Sequence, residues 1–221
     1  MSEAVERARE ATRRLKIFPL PSVVLLPGSA LPLHIFEPRY RELVKDAVAG
    51  DRIFAMAQVV PGQEARMAEA PELEPMLCVG TIAMHEQLPD GRSTLVLIGV
   101  ARARIVRELK SDKPYREVEA ELIVDAAVPM GDADEALLRQ ALMELIARVP
   151  TDVGERIAQV TGRVHGGALA DLVASTVMED VIRRYEVLCE VDVHERMRVV
   201  AEETLLIVGG MPPRKHEGLP N

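Results

Sequence analysis

Residues 18–40 have the sequence FPLPSVVLLPGSALPLHIFEPRY, in which short apolar runs alternate with proline and glycine. Apolar runs of this length, bounded by turn-forming residues, are typical of strands rather than helices. The pattern predicts extended segments over 16–20, 23–26 and 31–36, with a chain reversal at Pro27-Gly28. The fold therefore begins with β-structure.

A helix is predicted directly after this stretch. Glu37-Pro38 places proline at a first helical position, and Gly50 provides a C-terminal stop. On such a helix Leu43, Ala47 and Val48 share the inward face.

Residues 52–124 continue mainly as strands. Residues 52–60 are apolar enough for a buried strand, and Leu77–Leu88 and Ser93–Gly99 flank Pro89-Asp90-Gly91, a strong hairpin turn. Residues 102–108 and 115–124 extend the sheet. Several strands with few helices, closing over one core, predict a small barrel-like sheet.

The last of these strands alternates apolar and acidic residues. We expect one face to be buried and the other, with Glu117, Glu119 and Glu121, to face solvent. Three arginines are expected to pair with these acids from the neighbouring strand: Arg102, Arg104 and Arg107. This ladder is favoured over a catalytic or nucleic-acid-binding cluster, since aromatic residues are not interleaved with the arginines.

Beyond Met130-Gly131-Asp132 the apolar spacing becomes helical. Leu138, Leu142, Leu145 and Val149 form a buried stripe, and further helices are predicted over 152–160, 167–178 and 179–189. Asp192 with Glu195 is a capping-box signature for a final helix, with a stripe of Val193, Met197, Val200 and Ile207. The predicted fold class is α+β.

Four segments follow from these patterns. They are a charged N-terminal segment (1–15), a β-rich domain with one short helix (16–128), a helical subdomain (132–208) and a flexible tail (209–221).

Composition narrows the function. Of 221 residues 48% are hydrophobic and 28% charged, which excludes disorder, and the net charge of −8 argues against nucleic acid or anionic lipid as a partner. The two cysteines, Cys78 and Cys189, have no CxxC partner and indicate reduced thiols. With no signal-peptide pattern in 1–14 and no apolar run long enough for a bilayer, we expect a cytoplasmic protein.

The motifs of common catalytic sites are missing from the sequence. It contains no P-loop, GxGxxG after a strand, GxSxG or HExxH pattern, and its histidines are isolated, so no catalytic residue, metal or cofactor is predicted. The glycines of GRVHGG (162–167) are expected to cap helices. An enzyme using Glu37 or Glu86 would need a deep pocket with a His or Arg partner beside the carboxylate.

Several of these motifs resemble the Lon substrate-binding domain, the N-terminal domain of ATP-dependent Lon proteases. They are Phe18-Pro19-Leu20, the IFEPRY segment (35–40), CVGTIA (78–83), LPDGR (88–92), LIGVARARI (97–105) and VHERM (193–197). The resemblance covers roughly residues 16–208 in order. It implies a PUA-like pseudo-barrel followed by a helical bundle, and it carries over no catalytic residues.

The resemblance implies a non-catalytic module that binds unfolded or tagged polypeptides, and an adaptor role beside a separate protease or chaperone. An extended peptide can add to an open strand edge, with Phe36, Tyr40 and Phe54 as apolar anchors and Glu37 and Arg39 at the rim. We favour a core position for Phe36 and Phe54. For Tyr40, a core position and an exposed position are about equally expected. The alternative function is a small-ligand or RNA-binding PUA-like protein.

Overall fold

A computed structural model describes residues 3–67, 69–129 and 131–212. The strands are β1 (Leu15–Leu20), β2 (Ala30–Ile35), β3 (Ile53–Val59), β4 (Leu73–Gln87), β5 (Ser93–Leu109) and β6 (Arg116–Ile123). The α-helices are α1 (Glu3–Ala11), α2 (Pro38–Ala49), α3 (Ala133–Arg148), α4 (Thr151–Thr161), α5 (Gly166–Val177), α6 (Val181–Cys189) and α7 (Val193–Gly210). Single 3₁₀ turns lie at Thr12–Arg14 and Glu64–Arg66.

The chain divides into two compact units. The first comprises Met1–Val124 and Asp180–Cys189, and the second Asp125–Glu179 and Glu190–Asn221. Helix α6 therefore belongs to the β-rich unit, although its sequence pattern placed it in a contiguous helical subdomain. Its tether is specific, because the Tyr185 hydroxyl accepts a hydrogen bond from the Met76 amide at 3.0 Å.

Five strands of the first unit close into a barrel. The sheet order is β2-β5-β4-β3-β1-β6, and a further pairing of β5 with β6 closes the ring and leaves β2 outside it. Closure is possible because β5 is 17 residues long, so that its first part pairs with β2 and its last part with β6. The predicted α+β fold with a barrel-like sheet is confirmed. Residues 23–26 form no strand, although Val24, Leu25 and Leu26 are buried.

The barrel core extends into the charged N-terminal segment. Ala8 of α1 is buried with Leu15, Ile17 and Val79 in one apolar cluster. Helix α1 carries Ala4, Val5, Ala8 and Ala11 at helical spacing. The apolar face that they form is narrow and is surrounded by charged residues, so the sequence pattern did not reveal it.

The expected solvent face of β6 is only partly correct. Arg107 pairs with Glu119 at 2.6 Å, as predicted. Glu117, in contrast, is buried and forms an ion pair with Arg14 at 2.7 Å. Arg102 is also buried, and its guanidinium donates to the carbonyls of Val187 and Leu188 at the end of α6. Arg14 and Arg102 therefore stabilise the barrel and its attached helix, whereas Arg107 pairs with its acid on the exposed surface.

The second unit is a bundle of α3, α4, α5 and α7. The predicted stripes are buried at Leu138, Leu142, Leu145, Val193, Met197 and Val200. Asp132 and Asp192 cap α3 and α7 by accepting hydrogen bonds from the amides two and three residues on. Half of the predicted capping box forms, because the Asp192 amide donates to Glu190 instead of Glu195.

Helix α7 extends into the segment predicted as a tail and ends at Gly210, and residues 213–221 lie outside the described residues. Within the described ranges, no helix has both the length and the apolarity needed to cross a membrane.

Candidate functional site

A three-stranded lobe extends beyond the barrel. Strand β3 pairs with β4 only as far as Thr81, so that residues 82–87 of β4 leave the barrel with residues 93–98 of β5. Strand β2 completes the lobe by pairing with β5 from Ala30↔Ile98 to Ile35↔Ser93.

A tight turn sets the position of β2 in this lobe. Gly28 has φ +77° and its amide donates to the Gly99 carbonyl at 2.9 Å, while the Gly99 amide donates to Ser29 at 2.9 Å. A Cβ at Gly99 would collide with the Leu26 carbonyl oxygen, so the turn can dock only against glycine. The predicted Pro27-Gly28 reversal thus fixes the register of the lobe.

One side of the lobe, here called the outer face, is apolar and open. The strand register and its alternation place six of its residues on one side: Pro32, His34, Met84, Glu86, Thr94 and Val96. Phe36, directly after β2, joins them because its ring lies beside that of His34. Met84 and Phe36 are 68% and 60% exposed. Between β2 and β4 this face forms an open groove of about 420 Å³. Two large apolar side chains thus stand beside a depression that a peptide side chain can enter.

A β-bulge directs Met84 onto this face. The pairing shifts between Ile82↔Leu97 and Met84↔Val96, so that one extra residue, Ala83, lies on β4. In a regular strand Ile82 and Met84 would share a side, but Ile82 is buried and Met84 is exposed. The sequence carried only a weak sign of this, an apolar residue next to the polar run His85-Glu86-Gln87.

The open edge of β2 is less suited to strand addition than the sequence indicated. In the described residues no strand pairs with that edge. Because Ser29 accepts from Gly99 and the register continues unbroken, the backbone groups of Ala30, Pro32 and His34 point to the open side. Proline has no amide hydrogen, so the centre of the edge lacks a donor. Side-chain contacts on the outer face are therefore the better route for binding.

The residues predicted as apolar anchors differ in their exposure in the structure. Tyr40 is buried, stacks on Phe18 with ring centroids 3.9 Å apart, and points its hydroxyl to the Pro19 carbonyl at 3.4 Å. Burial raises the pKa of Tyr40 above its ordinary value. Phe54 lies in the same aromatic cluster, so the core interpretation is confirmed for Phe54 and wrong for Phe36. Neither Tyr40 nor Phe54 is exposed to a partner in this conformation.

Glu37 and Arg39 form a local tether. Arg39 pairs with Glu37 at 2.9 Å, donates to the Met67 carbonyl at 2.8 Å, and lies 4.6 Å over the Tyr40 ring. The cavity beside Arg39 measures only about 30 Å³, which is too small for a substrate. Glu86, the other carboxylate considered for catalysis, is exposed on the outer face.

One group of described residues in the helical unit combines side chains that bind metals, namely Asp132, Asp134 and His194. Asp134 already pairs with Arg198 and His194, both at 3.0 Å, and the pKa of its carboxyl is lowered by the hydrogen bond from Arg198. Asp132 caps α3. Helix capping and ion pairing therefore account for this cluster.

Comparison with known proteins gives the family. The model of the substrate-binding domain of the ATP-dependent protease La (Lon) matches residues 14–204. The chain belongs to the Lon substrate-binding domain family. Lon protease 2 of Myxococcus xanthus is 30% identical over 197 residues, as is the Lon protease of Anaeromyxobacter dehalogenans; each alignment covers 85% of this chain. The chain spans only 23% and 22% of those relatives, so the resemblance lies in one domain of them.

Solved structures confirm the Lon N-terminal fold. The N-terminal domain of Lon protease from the Mycobacterium avium complex superposes with a TM-score of 0.68 at 20% identity, over 86% of this chain and 97% of that one. A Lon N-terminal domain protein from Xanthomonas campestris gives a TM-score of 0.63 at 25% identity, over 90% and 99% of the two chains.

Proposed function

We propose that this Lon-type domain binds unfolded or tagged polypeptides without catalysing a reaction, and that the outer face of the lobe is the binding surface. The observation that carries the proposal is the exposure of Phe36 and Met84 on one side of a sheet, next to an apolar groove. Soluble proteins rarely leave large apolar side chains grouped in this way unless they bind a partner.

The chemistry of the face suits unfolded chains in particular. A thioether such as Met84 adapts to apolar side chains of different shapes, and Phe36 adds a flat aromatic surface beside the His34 ring, 6.3 Å away. Unfolded polypeptides expose apolar side chains without a fixed shape, so an adaptable surface recognises them better than a rigid pocket.

The family supports the binding role and the absence of catalysis. The matching family model describes a substrate-binding domain, and the two relatives compared above are Lon proteases. We propose further that the chain acts as an adaptor in protein quality control, which passes bound polypeptides to a separate protease or chaperone in the cytoplasm.

We expect Met84→Ser to weaken binding of a reduced, carboxymethylated unfolded protein by about five- to thirtyfold, since truncating an interface anchor costs about 1–2 kcal/mol. Phe36→Ser should have a similar effect. Fluorescence anisotropy of the labelled unfolded protein measures both.

Leu206→Ser is the matched control, because Leu206 on α7 is 69% exposed and lies in the helical unit. It should leave the affinity unchanged. Equal losses of affinity for Leu206→Ser and Met84→Ser would show nonspecific hydrophobic binding and contradict the assignment of the outer face.

The adaptor role predicts faster degradation. Adding this chain to a full-length Lon protease with ATP and fluorescein-casein should raise the rate of peptide release about twofold or more, because a bridging module raises the local substrate concentration. The Met84→Ser variant should give no acceleration. A slower rate with the wild-type chain would mean that it only sequesters casein, which argues against the adaptor role while leaving polypeptide binding in place.

A further inference from the structure

A second cleft lies on the opposite side of the lobe from the outer face. It separates α2 from the tip of the β4–β5 hairpin and measures about 490 Å³. Small-molecule sites have volumes of this size. The polar and charged residues of its lining include Arg41, Glu42, Lys45, His85 and Ser93, and α2 adds the apolar side chains of Val48 and Ala49. The cleft therefore combines hydrogen-bond donors with an apolar wall.

Arg41 is the distinctive group in this cleft. In the part of the chain that the structure describes, no ion pair or hydrogen bond holds its guanidinium. It lies across the hairpin tip, where a Cβ at Gly91 would collide with it, and Gly91 has φ +78°. The nearby carboxylate of Asp90 is bound instead by the Arg92 side chain at 2.6 Å.

The charges around Arg41 leave a local positive excess. The pKa of Asp90 is lowered chiefly by the Arg92 backbone amide, with the charge of Arg41 as a smaller cause, and the ion pair of Asp90 is formed with Arg92. Lys45 and Glu42 approach to 3.4 Å and offset each other on the surface of α2. One unpaired guanidinium thus remains in a protein whose net charge is −8.

Ser93 and His85 complete a polar end of the cleft. His85 Nε2 and Ser93 Oγ are 3.3 Å apart, and Ser93 is buried. Among the described residues no carboxylate forms a hydrogen bond to His85, so the pair lacks the third group that orients a catalytic histidine. As a binding element it offers a hydroxyl and a ring nitrogen.

We infer that this cleft binds a small organic carboxylate, with the anionic group on Arg41 and Ser93 and an apolar body against Val48 and Ala49. A guanidinium binds a carboxylate through two parallel hydrogen bonds. A single unpaired positive charge matches a monoanion better than a phosphate dianion. The apolar wall requires a ligand with a hydrocarbon portion. The site is independent of polypeptide binding at the outer face.

The test is a titration of the ¹⁵N-labelled full chain, followed by two-dimensional NMR, with three probes. They are N-acetyl-L-leucine, its uncharged amide N-acetyl-L-leucinamide, and inorganic phosphate. N-acetyl-L-leucine should bind with a roughly millimolar Kd, as expected for a ligand with few atoms, and shift Gly91 and Ser93. The amide and phosphate should each bind at least about tenfold more weakly, because one lacks the charge and the other the apolar body.

Arg41→Gln should weaken the binding of N-acetyl-L-leucine by about tenfold or more, since it removes the guanidinium that forms two hydrogen bonds to the carboxylate. Arg41 is exposed, so this variant is expected to fold. Arg156→Gln, which removes the same charge from the helical unit, should change nothing. The inference is overturned by equal binding of acid and amide, by equal binding of phosphate, by full binding in Arg41→Gln, or by no binding of any probe.

Discussion

Replacing Arg196 by Ala is expected to lower the free energy of unfolding by about 3–5 kcal/mol, because it removes one partner from a buried ion-pair network. Arg196 is 0% exposed and Asp171, its partner on α5, is 1% exposed. The guanidinium also bonds to Asp125 and donates to the Glu190 carbonyl at 2.7 Å. One side chain thus joins α7 and α5 to the segments that precede α3 and α7.

The loss of stability is large because Asp171 stays buried after Arg196 is replaced. Arg196 Nε lies 3.4 Å from Asp171 Oδ1, and the substitution leaves a charged carboxylate without that counter-ion. The surroundings show how closely this network is packed, since a Cβ at Gly167 would collide with Arg196 and Asp125. Glycine at position 167 therefore makes room for the ion pair, a role beyond the helix cap predicted for the GRVHGG segment.

Urea denaturation followed by circular dichroism measures the effect. Arg198→Ala is the control, since Arg198 lies two residues along the same helix and forms exposed ion pairs with Asp134 and Glu195. It should retain nearly all of the stability. If Arg196→Ala proved as stable as Arg198→Ala, the buried ion-pair network would contribute little to the stability of the fold.

Gly99→Ala is expected to cost about 2–3 kcal/mol of stability, as overpacking against immobile atoms does. The new methyl group would meet the Leu26 carbonyl oxygen and lie 3.1 Å from Cys78 Sγ. A backbone oxygen cannot rotate away as a side chain can. The turn at Gly28 and Ser29, which bonds to Gly99 on both sides, must then shift.

Because this turn positions β2, Gly99→Ala should also weaken polypeptide binding at the outer face. Thermal denaturation and the anisotropy assay report the two effects separately. Gly209→Ala provides the comparison, since no atom lies within 4 Å of its Cβ and alanine favours a helix over glycine by up to about 1 kcal/mol. An unchanged melting temperature in Gly99→Ala would show that the turn yields without cost, and would contradict its role in fixing the lobe.

Much of the fold follows from local chemistry. Pro38 and Gly50 bound α2 as predicted, Pro89-Asp90-Gly91 forms the hairpin turn, and Asp192 caps α7. Each depends on backbone geometry within a few residues, and therefore survives whatever packs around it. The same holds for the helical stripes, since their spacing alone determines which residues share a face.

Exposure was decided by contacts between distant parts of the chain. Phe36 and Tyr40 are only four residues apart in the sequence, yet Tyr40 is buried with Phe54 beside Phe18 and Phe36 faces solvent. Which aromatic residue remains free depends on what lies across from it, and those neighbours come from other strands and helices. The same reason explains Glu117, whose alternating pattern indicated solvent but whose partner Arg14 arrives from the segment before β1.

The sequence by itself determined most of the strands, helices and caps and indicated the family, because these depend on short-range patterns and on the order of motifs. Only the tertiary structure decided the outer face. The bulge at Ala83 turns Met84 outward, and the docking of Gly28 on Gly99 brings Phe36 and Pro32 to the same side. A one-residue shift in either strand would reverse the side chains that the lobe presents, and the sequence carries only a weak sign of such a shift at Met84.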